Sequence, residues 1–205
     1  AAVATFEAAL AHHPEHPELL INMGVALQNL GRLDEAEAAQ MRILARHPEN
    51  PGALTNLGSI AFEREDMEAA ADFARRAVAG DPAIAAAWNN LGNALATLEQ
   101  FDEAEPAFQK ALELLPDYAD AQGNYANMLK AMGRMAEAEQ SLRRAMEADP
   151  GFADAPFNLG VVLLGADADR KDEAMALFRT ALNADPEHAG ALMNLSALLQ
   201  GLDRY

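Results

Sequence analysis

The sequence predicts an all-α fold, an α-solenoid of antiparallel helix pairs, on three observations. Prolines recur every 34 residues, at Pro14, Pro48, Pro82, Pro116 and Pro150, and Pro186 follows after 36. A rung of asparagine, a larger residue and a small one returns in step: Asn22-Met23-Gly24, Asn56-Leu57-Gly58, Asn90-Leu91-Gly92, Asn124-Tyr125-Ala126, Asn158-Leu159-Gly160 and Asn194-Leu195-Ser196. The composition is rich in alanine and poor in Val, Ile, Thr and Tyr, which favours helix over strand. Each unit of a repeat array packs only on its neighbours, so the period, and not the length of 205 residues, sets the organisation.

Each repeat is numbered so that its proline is position 32. Residues 1–16 then read as the second helix of a truncated repeat. The full repeats are 17–50, 51–84, 85–118, 119–152 and 153–188, and 189–205 is the first helix of another truncated repeat, with Tyr205 in the turn after it. Both ends fall inside a repeat, as in a segment cut from a longer array. In first helices, apolar residues at 4, 7 and 11, such as Trp88, Leu91 and Leu95, make one core face; in second helices, 20, 24, 27 and 28 do so, as in Ala104, Phe108, Ala111 and Leu112. Position 20 is alanine throughout, at Ala2, Ala36, Ala70, Ala104, Ala138 and Ala174. Position 24 is Phe6, Phe108, Leu142 and Phe178, but departs to Gln40 and Ala74. Small residues at 8 and 20 let the paired backbones approach, and a bulky side chain there would cost about 1–3 kcal/mol. The proline ends the second helix because it lacks an N–H and disfavours helical geometry before it. Asp34, Asp66, Asp102 and Asp172 stand near second-helix starts, where an acid caps or matches the dipole. With Asp102 as cap, Pro106 removes only the first backbone bond of its helix. Two extra residues within 165–171 lengthen one turn and leave the core register intact.

A 34-residue period with small residues, aromatics and a closing proline at these offsets resembles the tetratricopeptide repeat (TPR) family over essentially the whole chain. The resemblance implies a right-handed superhelix with first helices on the concave wall and second helices on the convex wall. Positions 2, 5, 6, 9, 12 and 13 of the first helices would then face a groove.

The asparagines are at position 6. Within a helix Asn costs up to roughly 0.7 kcal/mol relative to Ala, so six could cost about 4 kcal/mol. Two readings offset that: hydrogen bonds between adjacent helices, or a row of amides that pair with the backbone of an extended polypeptide whatever its side chains. The second reading makes Asn22, Asn56, Asn89, Asn90, Asn93, Asn124, Asn127, Lys130, Asn158 and Asn194 the candidate peptide-binding residues. Phe157, Val161, Leu164 and Met193 would form a more apolar end, unless they pack on the neighbouring helix. An unbroken asparagine ladder is similar to the TPR superhelix of O-GlcNAc transferase and of bacterial TPR-containing glycosyltransferases. That resemblance implies a substrate-recognition domain of a larger bacterial protein, with flagellin among the substrates. The alternative is a non-enzymatic scaffold for complex assembly. A carboxylate clamp like that of chaperone-binding TPR domains is rejected: position 5 reads Ile21, Thr55, Asn89, Gly123, Phe157 and Met193, with no basic set.

The remaining classes fail on inventory. A net charge of -17 repels a polyphosphate backbone, so nucleic acid is not an expected partner. No run approaches the roughly 18 apolar residues of a membrane helix, so no membrane partner is expected either. Without cysteine there is no disulfide or thiolate site, which is compatible with the cytoplasm and leaves the periplasm open. His12, His13, His16, His47 and His188 are assigned to inter-repeat turns, and the serines have no evident base, so no catalytic residue is expected. No cofactor or metal is expected. Twelve Arg against three Lys point to a GC-rich bacterial gene. Self-association is expected through the two truncated ends.

Overall fold

A computed structural model describes residues 2–202, with the side chains of Ala168, Gly201 and Leu202 left aside; the turn expected at Tyr205 lies outside the described residues. The described residues form twelve α-helices and no strand. In order these are α1 (Ala2–His12), α2 (Pro17–Gln28), α3 (Leu33–Leu44), α4 (Pro51–Glu63), α5 (Met67–Gly80) and α6 (Ala85–Thr97). Then follow α7 (Phe101–Leu114), α8 (Ala119–Ala131), α9 (Met135–Ala148), α10 (Asp154–Ala166), α11 (Lys171–Ala184) and α12 (Ala189–Leu202). Even-numbered helices up to α6, then α8, α10 and α12, are first helices of repeats; the others are second helices. The architecture is an all-α solenoid.

The helices group into two compact units, one ending at Leu114 and the other beginning at Leu115. In the N-terminal unit α2 pairs with α3, α4 with α5 and α6 with α7, while α1 packs on α2, α3 on α4 and α5 on α6. The first helices touch side by side, α2 on α4 and α4 on α6. In the C-terminal unit α8 pairs with α9 and α10 with α11, α12 packs on α11, and α8 touches α10. Second helices make no comparable contact with one another among the described residues. The layer with the closer spacing is the inner one, so first helices line the inner wall of each unit.

Local chemistry explains where each helix stops. Asp81, Asp149 and Asp185 precede prolines and are extended, with φ of -145°, -136° and -132°. Each then turns the chain with its carboxylate, which accepts the N–H two residues on, at 2.9 Å from Ala83, 2.8 Å from Gly151 and 3.0 Å from Glu187. In the four repeats without the insertion, the internal turn takes a left-handed residue at position 15. Gly31 and Gly133 supply it freely, whereas Glu65 and Glu99 adopt φ of 61° and 59° without that freedom.

At the helix starts, Asn50 caps α4 by accepting from the Ala53 N–H at 2.9 Å, and Asp66 caps α5 from Ala69 at 3.0 Å. Asp34, Asp102 and Asp172 lie inside the first turn of their helices. For α7 this corrects the sequence reading. The helix begins at Phe101, the Ala104 N–H already reaches the Gln100 carbonyl at 3.0 Å, and Pro106 therefore removes the third backbone bond and not the first. His12 is likewise the last residue of α1 and not part of a turn. The two-residue insertion is absorbed by a 3-10 turn, Ala168–Arg170, and Ala174, Phe178 and Ala181 stay buried as the register requires.

The paired helices meet at position 8. A Cβ built on Gly58 would lie 3.4 Å from the Ala70 carbonyl, and one on Gly24 3.5 Å from that of Ala36. In two repeats the ring at position 24 covers the same spot: a Cβ on Gly92 would stand 2.9 Å from Phe108, and one on Gly160 2.6 Å from Phe178. Both rings are fully buried. Outside, ion pairs tie consecutive repeats together. Arg64 reaches Asp34 and Glu37 at 2.6 Å, and Arg76 binds Glu49 and the Pro48 carbonyl at 3.0 Å. Arg42 binds the Pro14 carbonyl in the same way. In the C-terminal unit the inserted turn delivers Arg170 to Glu139 at 2.7 Å and to Glu173 at 2.8 Å, and Arg143 completes the cluster with the same two acids. The Arg170 hydrogen bond, helped by Arg143, pulls the Glu139 carboxyl down to about 2.

Two stability measurements check these assignments. Gly92→Ala should destabilise by about 1–3 kcal/mol in urea titration, because the Phe108 ring must move. Gly58→Ala, which makes only ordinary contacts, should instead gain up to about 1 kcal/mol of helix propensity. Equal effects would refute the filled-slot account. Arg170→Ala should lower stability only slightly near pH 7, since the cluster is partly solvated. Glu139 is depressed in the folded chain, so the stability it contributes is complete above its unfolded value of 4.5 and is lost as pH falls through about 2. The difference between wild type and Arg170→Ala should therefore be constant from pH 7 to about 4.5 and shrink towards pH 2. A gap unchanged at pH 2 would mean that Arg170 acts through packing.

Candidate functional site

The inner wall is nearly free of charge. The first helices α2, α4, α6, α8, α10 and α12 carry only Glu18, Glu63, Asp120, Lys130 and Asp154 as formally charged side chains, and α6 and α12 carry none. The second helices hold most of the acids and arginines. Asp154 is engaged by the His188 Nε2 at 3.0 Å, and Glu63 accepts from Gln28 at 2.5 Å. Glu18 and Asp120 sit in first turns, where the helix dipole favours an acid.

On this wall the asparagines do different jobs. Asn90 is half-buried and donates through Nδ2 to the Thr55 carbonyl of the preceding first helix at 3.1 Å, across the side-by-side contact of α4 and α6. Asn194 donates to the Gly190 carbonyl of its own helix at 3.0 Å. Asn56 is half-buried, and its Nδ2 is shielded from water with no hydrogen-bond partner. Asn22 is exposed; Asn124 and Asn158 are half-buried. Among the neighbours, Asn89 is buried at 6 % exposure, Asn93 and Lys130 are half-buried and Asn127 is exposed. Position 5 turns inward on α4, α6 and α8, where Thr55, Asn89 and Gly123 are buried. The inner wall of the N-terminal unit therefore gathers Asn22, Asn56, Asn90 and Asn93 on α2, α4 and α6. That of the C-terminal unit gathers Asn124, Asn127, Lys130, Asn158 and Asn194 on α8, α10 and α12.

The apolar residues noted in the sequence divide. Phe157, Val161 and Leu164 pack against the buried cluster of Ala174, Phe178, Ala181 and Ala191, whereas Met193 is 69 % exposed. Phe157 also lies 4.6 Å from the His188 ring. His188 accepts the Ala191 N–H on Nδ1 at 3.2 Å, so it caps α12 as the tautomer protonated on Nε2.

What the sequence did not reveal is the competition at Gln40. This residue replaces the aromatic of position 24, is fully buried, and holds the Ile21 carbonyl through Nε2 at 3.4 Å while its Oε1 has no partner. Ile21 is the position-5 residue of α2, so its carbonyl is the counterpart of the one Asn90 binds on Thr55. Two polar atoms, Gln40 Oε1 and Asn56 Nδ2, are left unsatisfied around that one rung. A polar residue at position 24 was the visible signal; the occupied carbonyl was not. A different polar exchange is fully paired in the C-terminal unit, where Gln122 at position 4 is met by the Ser141 hydroxyl, 2.6 Å from Oε1 and 2.9 Å from its carbonyl.

The described residues hold no group of three His, Asp or Glu placed for a metal ion, and no helix is long and apolar enough to cross a membrane.

Three sequence models of the tetratricopeptide repeat match the chain, one at residues 23–85 and 126–189, another at 85–118 and a third at 5–38 and 107–140. No curated protein matches. Among solved structures, YrrB, described as a TPR protein with an unusual peptide-binding site, is 26 % identical with a TM-score of 0.61, covering 92 % of this chain and 96 % of its own. MamA is 26 % identical with a TM-score of 0.64, covering 82 % of this chain and 96 % of its own. A thermophilic TPR protein of Thermus thermophilus, TTC0263, is 23 % identical with a TM-score of 0.76, over 90 % and 100 % of the two chains, and shows the fold.

Gln40→Leu tests the unsatisfied rung. It removes a buried orphan acceptor, keeps a volume that Leu142 fills at the same position, and frees the Ile21 carbonyl for Asn56. The substitution should raise stability by about 1 kcal/mol or more in urea titration. A loss of stability would show that Gln40 is satisfied in solution.

Proposed function

The chain belongs to the tetratricopeptide-repeat family, and on that premise we propose that it is a protein-interaction module whose first-helix wall binds an extended polypeptide mainly through the ligand's backbone. The observation that carries this reading is the neutral, amide-bearing wall. Asn93 and Asn127 make no side-chain hydrogen bond among the described residues, and each offers both a donor and an acceptor. Asn90 spends one donor on Thr55 and keeps its carbonyl oxygen. With almost no charge on the wall, selection by ligand charge is weak, while any peptide bond can pair with an amide. The peptide-binding site named for YrrB, a related structure of similar length, supports the same reading.

A more specific form follows from the ladder's resemblance to those of O-GlcNAc transferase and bacterial TPR-containing glycosyltransferases. In that form the chain presents a polypeptide substrate, such as flagellin, to a glycosyltransferase.

Two peptide sets serve as probes: a random-sequence dodecapeptide library, and 15-residue peptides tiled along flagellin. Peptides bound by the wild type should bind at least tenfold more weakly to Asn90→Ala/Asn93→Ala, about 1.4 kcal/mol, the loss of one or two net hydrogen bonds, with helical circular dichroism unchanged. Asn124→Ala/Asn127→Ala makes the same test on α8. N-methylation of the peptide backbone should weaken binding to a similar extent. Unchanged affinity in both double variants would overturn backbone reading, and binders confined to the random library would remove the flagellin form.

A further inference from the structure

Within the repeat 85–118 a cleft of about 440 Å³ opens between the two helices, lined by Trp88, Leu91 and Leu95 of α6 and by Pro106 and Ala107 of α7. Position 4 is the fully buried Leu20 in α2 and Leu54 in α4, but in α6 it is Trp88, the only tryptophan of the chain, and it is half-buried. The Trp88 Nε1 donates to the Pro82 carbonyl at 2.9 Å, so the ring offers carbon and no further donor to the cleft. In the preceding repeat a second ring stands at the corresponding place. Position 23 there is Phe73, which packs against the buried cluster of Leu54, Ala77 and Ala87, and the Arg76 guanidinium lies 6.0 Å from its ring centroid. In α7 position 23 is Ala107, and the chain supplies no such ring from that position.

The charge around the cleft is mainly acidic. Asp102 and Glu103, in the first turn of α7, also line it. Asp102 is exposed and makes no ion pair among the described residues, and Glu103 is 65 % exposed with Arg75 at 3.3 Å. Lys110, about two turns further along α7, is engaged by Glu113 at 2.9 Å. We propose that this cleft is the docking site of a partner protein that inserts an aromatic side chain flanked by arginine or lysine. The inserted ring packs on Trp88, Leu91 and Leu95 as Phe73 packs within the preceding repeat, and the flanking cation meets Asp102 and Glu103. An acidic flank is repelled by the same two carboxylates. No inner-wall asparagine lines the cleft, so this docking stands or falls separately from the polypeptide reading.

Fluorescence of Trp88 reports on the cleft directly. The probes are capped peptides with the central sequence Arg-Phe-Arg, Arg-Ala-Arg or Glu-Phe-Glu between glycines. On the wild type the Arg-Phe-Arg peptide should shift the Trp88 emission saturably, with a Kd below about 1 mM, and the other two should bind at least about tenfold more weakly. Asp102→Lys/Glu103→Lys alters exposed side chains only; it should weaken the Arg-Phe-Arg peptide by about tenfold and favour the Glu-Phe-Glu peptide instead. Asn90→Ala/Asn93→Ala should bind the Arg-Phe-Arg peptide as the wild type does. The proposal is overturned by a wild type without saturable change up to about 1 mM, by equal binding of the Arg-Phe-Arg and Arg-Ala-Arg peptides, or by a charge-reversed variant of unchanged preference. Loss of binding in the asparagine variant alone would place the peptide on the inner wall and overturn it equally.

Discussion

The close approach of the two helices within each repeat is the constraint on which the rest depends. Position 8 must be small because the partner backbone passes 3.4–3.5 Å from where its Cβ would be, as at Gly58 and Gly24. The slot so created is filled in three ways: by a phenylalanine ring over Gly92 and Gly160, by the Gln40 amide over Gly24, and by backbone with Phe73 beside Gly58. The variability of position 24 is thus a choice of filler over a small position-8 residue. Only the Gln40 filler leaves polar atoms unsatisfied.

That approach also sets the inner wall. With the first helices side by side, a position-5 carbonyl on one faces a position-6 side chain on the next, and asparagine can bridge the two, as Asn90 does to Thr55. The bridge holds helix spacing and orients the amide at once. A residue that fixes spacing with one donor and keeps an acceptor outward reconciles the two explanations for asparagine here, since neither use consumes the whole amide.

The fold was legible because its signals repeat. Six alanines at position 20, regularly spaced prolines and recurring small rungs locate the helix pairs, and the register through the insertion follows from Ala174, Phe178 and Ala181. Less legible were features without a distinctive residue. Glu65 and Glu99 take the left-handed turn that Gly31 and Gly133 announce, and α7 starts one residue before Asp102 because backbone geometry, and not the acid, fixes that end. For the candidate site, the sequence placed the asparagines on first helices but treated them as equivalent rungs. Which carbonyl each amide meets depends on lateral helix contacts, and these lie about one repeat apart in sequence. Asn89 illustrates the limit: at position 5 it resembles its neighbour Asn90, yet a rotation of about 100° per residue turns it inward, where it is buried.

The distribution of charge then separates surfaces that the chain satisfies from those it leaves open. Acids and arginines concentrate on second helices and the turns before them, and Arg64, Arg76, Arg143 and Arg170 bind carboxylates of a neighbouring or the same repeat. Such pairs are each weak in water, and the second helices also carry the larger share of the unpaired acids. The inner wall lacks most of that charge. Amide contacts made on that wall desolvate no formal charge. The acidic outer wall and the neutral, amide-bearing inner wall are thus divided between the two helices of each repeat.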